Sequence, residues 1–261
     1  MPAAENRFKS ALSRGQLQIG SWVGMADPYL AEITATAGFD WLLVDGEHAP
    51  NDLRTIMEQV RVIQASDSHP VVRLPVGETW MIKQVLDAGA QSILIPLVES
   101  AEQARDLARA VQYPPNGVRG VGAALARSSR FSGIPDYLAT ADAQIWLGVQ
   151  VETRAGLAAL DDILGVGRVD GVFVGPADLA ADMGYLGRYD VAEVNDLILD
   201  ALGRIAAAGK APGILTTDPA FAATCRRAGA RFVATTIDVT LYAQAIRQAA
   251  QQSRDNLADQ T

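Results

Sequence analysis

Eight compact apolar runs alternate with eight longer segments whose apolar residues recur at helical spacing, which predicts an α/β fold, a closed (β/α)8 or TIM barrel. The runs are continuously apolar rather than alternating with polar residues, as expected of parallel strands buried on both faces. Length agrees: 261 residues hold eight such repeats as one barrel domain over 1–261, with an N-terminal arm and a C-terminal helical tail. A doubly wound open sheet usually needs fewer strands.

After a polar arm, the first strand is expected over 19–25. Asp27-Pro28 follows it, an acid suited to cap a helix ahead of a proline suited to its first turn. Strands two, three and four are expected over 41–44, 71–74 and 92–97, with helices beginning near Asn51, Thr79 and Ala101. Gly38 and Gly89 close helical segments where a left-handed turn is natural. Residues 112–137 contain Pro114-Pro115, Asn116-Gly117, Gly120 and Gly122, so an extended loop is expected after the fourth helix, crossing one barrel end. Strand five (145–151) leads to a helix near Ala155, and strand six (171–174) to an inserted loop over 176–189 and a helix near Val191. Strand seven (213–215) precedes a second Asp-Pro start at Asp218-Pro219, which runs to Gly229. Strand eight (232–235) leads to a helix near Val239 and a polar tail over 251–261 that frays or packs on a partner.

Composition narrows the function. Thirty Asp and Glu against 22 Lys and Arg give a net charge of -8, a poor background for binding nucleic acid or anionic lipid. The apolar runs are too short to span a membrane. One cysteine, Cys225, cannot form an intrachain disulfide, and no signal-like run opens the chain, so a cytoplasmic location is expected.

In a barrel, chemistry belongs at the strand C-termini. Glu152 after strand five and Asp178 after strand six can supply hard oxygens to Mg²⁺ or Mn²⁺; alternatively Asp178 caps a helix and Glu152 pairs with Arg154. One cysteine and two histidines cannot furnish a structural zinc site. His48 is the candidate proton-transfer group, to be oriented by Asp45, Glu47 or Asp87, unless it only fixes its loop. His69 belongs at the opposite end and is assigned no chemistry. Arg73 is costly within VVRLP unless it meets a ligand anion or a neighbouring carboxylate. Gln150 faces the same way as Glu152, and the backbone of Gly175, Pro176 and Ala177 could receive a carboxylate. No P-loop or strand-associated GxGxxG is present. Lys9, Lys83 and Lys210 are all misplaced for a Schiff base, whereas a metal could polarise a 2-oxo group without a covalent intermediate.

The segments WLLVDGEHAPND, VVRLP, LDAGAQSILIPLVES, YPPNGVRGVG, VQVET and VDGVFVGPADLAADMG, in this order, resemble the class II pyruvate aldolases of the 4-hydroxy-2-oxoheptanedioate aldolase type over nearly the whole chain. The resemblance implies a barrel of the phosphoenolpyruvate/pyruvate type that reversibly cleaves 4-hydroxy-2-oxo acids, including 2-keto-3-deoxy sugar acids, to pyruvate and an aldehyde. It implies a divalent metal on Glu152 and Asp178, Mg²⁺ or Mn²⁺ with Co²⁺ or Zn²⁺ as alternatives. Arg73 would contact pyruvate, His48 act as base, and Asp45 or Asp87 orient that base or hold a water. Gln150, Gly175, Pro176 and Ala177 would bind substrate. Hexamers, trimers of dimers, are implied as well. A citrate-lyase-like acyl-CoA lyase or condensing enzyme and a nonenzymatic anionic-metabolite binder are the alternative readings.

Overall fold

The computed structural model describes residues 1–188 and 190–258. Tyr189, which ends the expected insertion, and the last three residues of the expected tail lie outside the described residues. Eight parallel strands close into a barrel in chain order: β1 (Gln18–Val23), β2 (Trp41–Asp45), β3 (His69–Arg73), β4 (Ser92–Ile95), β5 (Trp146–Val151), β6 (Gly171–Val174), β7 (Ala211–Leu215) and β8 (Phe232–Ile237), with β8 returning to β1. Helix α1 (Arg7–Ser13) precedes the barrel, and α2 (Pro28–Ala35), α3 (Leu53–Ile63), α4 (Thr79–Asp87) and α5 (Ala101–Ala110) follow the first four strands. Short α6 (Tyr137–Thr140) sits in the long loop before β5; α7 (Arg154–Ala158) and α8 (Leu160–Leu164) share the connection after β5. Helices α9 (Pro176–Asp182) and α10 (Ala192–Ala207) follow β6, α11 (Pro219–Ala228) follows β7, and α12 (Asp238–Ala258) follows β8.

The punctuation acts as its chemistry requires. Asp27 accepts the N–H of Tyr29 and Leu30, and Asp218 that of Ala220, each ahead of a proline in the first helical turn. Gly38, Gly89 and Gly229 adopt φ of 88°, 107° and 123°. Three expectations are corrected. The N-terminal arm is not only polar: Phe8, Ala11 and Leu12 are buried on one face of α1, and Asn6 caps that helix by accepting the Lys9 N–H. The insertion expected over 176–189 begins as α9, because Pro176 presets the first turn of an alanine- and leucine-containing segment. The polar tail, expected over 251–261 to fray or pack on a partner, does not fray in its first eight residues, which continue α12 to Ala258.

Two buried layers hold the barrel. One lies between strands and helices and is aliphatic, with Leu42, Val72, Ile93, Val149 and Val172 facing Ile56, Ile82, Leu107 and Ile198. The other fills the barrel and is aromatic: Trp22, Trp41, Trp146, Phe173 and Phe232, closed from below by Phe8. Glycines on the strands make room for these rings. A Cβ at Gly20 would collide with the Trp41 indole, and one at Gly213 with the Phe232 ring. The polar chemistry is thereby confined to the two mouths of the barrel.

Candidate active site

Parallel register brings charged residues together at the C-terminal mouth. Asp45 and Arg73 end adjacent strands as direct neighbours, both buried. Arg73 donates from Nε to Asp45 Oδ1 at 2.9 Å and from Nη2 to Asp45 Oδ2 at 2.6 Å, a bidentate fork, while Nη1 reaches Glu47 Oε2 at 2.7 Å. The guanidinium carbon lies 5.0 Å from the Trp22 ring, whose Nε1 donates to Asp45 Oδ2 at 3.1 Å. Burial would raise the Asp45 pKa, but Arg73 and the N–H groups of Glu47 and His48 outweigh it and hold Asp45 below the usual carboxylate range. The ion pair anticipated for Arg73 therefore forms, and its partners are Asp45 and Glu47.

Glu152 follows β5 and is almost fully buried. Its Oε1 accepts the Leu97 N–H at 2.8 Å and its Oε2 a short hydrogen bond from Gln150 Nε2. Leu97 has φ of 53°, a left-handed conformation in a residue other than glycine, and this turn aims its N–H at the carboxylate. Gly175 is required opposite: a side chain there would strike Glu152 Oε2. Burial pushes the Glu152 pKa up to about 7; the Leu97 N–H opposes this, and the charges of Asp178 and Glu47 reinforce it. Burial likewise raises Glu47 against the pull of Arg73, with the negative charges of Asp45 and Asp178 adding to the rise. Asp178, in the first turn of α9, is exposed at the mouth.

Glu47, Glu152 and Asp178 thus act on one another as negative charges, and Arg73, which offsets Glu47, is engaged on Asp45 and Glu47. Their donor set is all oxygen, the chemistry that suits Mg²⁺ or Mn²⁺. Among the described residues, no three His, Cys, Asp or Glu side chains already converge tightly enough to form a preset metal cage. The arrangement fits a cation that completes its shell with substrate and water.

The sequence candidates fall into two groups. Asp45, Arg73, Gln150, Glu152, Gly175, Pro176, Ala177 and Asp178 meet at one mouth, and His48 stands exposed beside them. Its backbone N–H donates to Asp45 Oδ1 at 3.3 Å, and no hydrogen bond to its imidazole occurs among the described residues. Asp87 is not brought to this site within the chain. It ends α4, on the return toward the N-terminal mouth, where Arg119 Nη2 holds its Oδ1 at 2.8 Å. Arg154 pairs with Asp182 rather than Glu152. Glu47 was visible only as a possible partner for His48; the Arg73 bridge and the charge shared with Glu152 come from tertiary register.

The profile of the HpcH/HpaI aldolase/citrate lyase family matches residues 18–245. A hydroxypyruvate/pyruvate aldolase from Roseovarius nubinhibens is 62% identical, over 95% of this chain and 96% of its own. A 4-hydroxy-2-oxo-heptane-1,7-dioate aldolase from Escherichia coli is 51% identical, over 92% of each chain. Among solved structures, a HpcH/HpaI aldolase/citrate lyase family protein from Burkholderia cenocepacia superposes with a TM-score of 0.91 at 39% identity, covering 95% of this chain and 99% of its own.

Proposed function

The chain belongs to the HpcH/HpaI aldolase/citrate lyase family and is a carbon–carbon lyase of the aldolase type, and from this premise we propose a metal-dependent class II aldolase that cleaves 4-hydroxy-2-oxo acids to a 2-oxo acid and an aldehyde. An enzyme of this family is not the nonenzymatic metabolite binder considered above. The observation that carries the proposal is the buried Glu152 carboxylate, its pKa pushed up to about 7 beside Asp178 and Glu47, since a divalent cation would offset that accumulation of negative charge.

Glu152 and Asp178 would hold the cation, with magnesium or manganese favoured by the oxygen donors and cobalt or zinc admitted by the open geometry. When bound, it would supply a positive pole for the negative charge that develops on the 2-oxo oxygen as the C3–C4 bond breaks. Arg73, held rigidly by Asp45 and Glu47, would direct a guanidinium edge at the same oxygen. Gln150 would orient Glu152 and face the substrate, and the Ala177 N–H in the first turn of α9 would receive the substrate carboxylate, with Gly175, whose N–H is held by the Val151 carbonyl, and Pro176, which has none, shaping that turn. His48, exposed at the mouth, would take the C4 hydroxyl proton directly or through a water as the C3–C4 bond breaks and C4 becomes the aldehyde carbon, and that proton would then pass to C3 of the enolate. In the synthetic direction the proton returns by the same route.

The relatives support pyruvate and hydroxypyruvate as competing nucleophiles and 4-hydroxy-2-oxoheptanedioate as one cleavable acid. We place the enzyme in the cytoplasm, consistent with a free, buried Cys225, and as a homo-oligomer, a hexamer in the trimer-of-dimers arrangement. Among the described residues no helix is long and apolar enough to cross a membrane.

Glu152→Gln tests the reading. It preserves shape and the bond from the Leu97 N–H but turns the second acceptor into a donor, which Gln150 meets by flipping its amide to present the unpartnered Oε1, and it removes the charge, so metal affinity and pyruvate release should fall at least about a hundredfold with the melting temperature little changed. Unchanged metal affinity and rate would refute the ligand assignment. Turnover of acyl-CoA substrates without cleavage of any free oxo acid would favour the citrate-lyase-like chemistry instead.

A further inference from the structure

The N-terminal mouth of the barrel carries a cavity of about 450 Å³ between α1, the start of β3 and the loop joining α5 to β5. Arg7, Arg127 and Arg130 border it, against one acid, Glu5. None of the three arginines forms a salt bridge among the described residues, in a chain where Asp and Glu outnumber Lys and Arg by 30 to 22. Guanidinium groups gathered at one concavity without carboxylates are a recognition surface for phosphate or carboxylate oxygens.

The placement of these groups is built rather than incidental. Arg127 lies across Gly89, where any side chain would strike its Nη1, and is fixed by Nη1 to the Ala88 carbonyl at 3.2 Å and by Nη2 to Gln64 Oε1 at 2.9 Å. Those partners are neutral, so its charge is oriented but not cancelled, and Arg61 adds further positive charge nearby. Arg130 opens a run of three left-handed residues, Arg130, Phe131 and Ser132, with φ of 54°, 55° and 66°, and its side chain makes no hydrogen bond among the described residues. Such backbone is costly outside glycine and concentrates where a ligand contact repays it. Arg7 reaches only the Ser66 and Asp67 carbonyls, at 3.4 and 3.5 Å.

We propose that this cavity is a binding site for a small anion carrying phosphate or carboxylate oxygens, held by Arg127 and Arg130 and closed over by Arg7 from α1. The barrel's aromatic filling separates it from the C-terminal mouth, so it is a second site and not an extension of the first.

Calorimetric titration of the full chain with inorganic phosphate, and separately with succinate, tests the assignment and distinguishes the two anion chemistries. Saturable binding of at least one probe is expected, weakening with added salt and by at least about tenfold in the Arg127→Gln/Arg130→Gln double variant. Arg130→Gln alone, altering an exposed side chain with no bonds to lose, should weaken binding without disturbing the fold. Aldol cleavage in anion-free buffer should be unchanged in both variants, so failure of the aldolase reading would register in that assay and not in the titrations. The proposal is overturned if neither probe binds, or if the double variant binds as the wild type does. It is also overturned if the double variant lowers the particle mass, because the arginines would then be meeting carboxylates of a second copy.

Discussion

His69 is the buried imidazole of the N-terminal half, stacked on Phe8 and with Nε2 3.0 Å from Ser92 Oγ. Burial pulls its pKa down to about 3, with the Arg7 charge adding to the fall. The unfolded chain therefore binds a proton that the folded one refuses. This stabilisation is complete above pH 6.5 and is lost as pH falls from there toward 3, at about 1.4 kcal/mol for each pH unit. Urea midpoints followed across that window should fall less steeply in His69→Asn than in the wild type, and equal slopes would show that another group carries the linkage. At this scale the sequence revealed much of the candidate site, because Asp45, Arg73, Gln150, Glu152 and Asp178 are polar groups terminating apolar strands. It did not reveal which charge meets which. The engagement of Arg73 by both Asp45 and Glu47 depends on strand register, and the capture of Asp87 by Arg119 depends on a loop returning from far along the chain.

The helices divide by how directly their cause is written. Asp-Pro starts and glycine stops are local devices, and α2 and α11 begin where those residues place them. Helix α1 was hidden, because a seven-residue helix with two large apolar residues, Phe8 and Leu12, resembles a polar arm until a barrel mouth is present to receive it. The spacing of Phe8, Ala11 and Leu12 and the cap at Asn6 are the signals that mark it. Phe8 touches Trp41, His69, Trp146 and Phe232 at 5.1–5.9 Å between ring centroids, so Phe8→Ala should destabilise the barrel by about 3–5 kcal/mol. Thermal and urea unfolding would register the loss, while cleavage activity per folded molecule should hold, since the ring lies at the mouth opposite Glu152. A loss below about 1 kcal/mol would mean that α1 is a loose appendage.

For the molecule as a whole, α12 presents an extended uncovered apolar face among the described residues. Val239, Leu241, Tyr242 and Ile246 are exposed along a helix that meets the barrel mainly at its first turn, through β1 and β8. An apolar face of this kind is expected to be covered in an assembly. Leu241→Glu with Ile246→Glu should lower the particle mass measured by light scattering and leave the unfolding midpoint of the separated subunit close to that of the parent; an unaltered mass would remove α12 from the interface. The closed barrel itself was legible because eight continuous apolar runs demand burial on both faces, whereas the outward apolar face of α12 was not, since which side of the last helix meets β1 and β8 is set by tertiary packing. The four tryptophans are also distributed in a way that makes the protein its own optical reporter. Trp41 and Trp146 are sealed in the interior and Trp80 is half open to solvent, but Trp22 alone lies against the Arg73 guanidinium and bonds to Asp45. Arrival of an oxo acid at that guanidinium should alter indole emission in the wild type and not in Trp22→Phe, so ligand occupancy can be followed by fluorescence without an added dye.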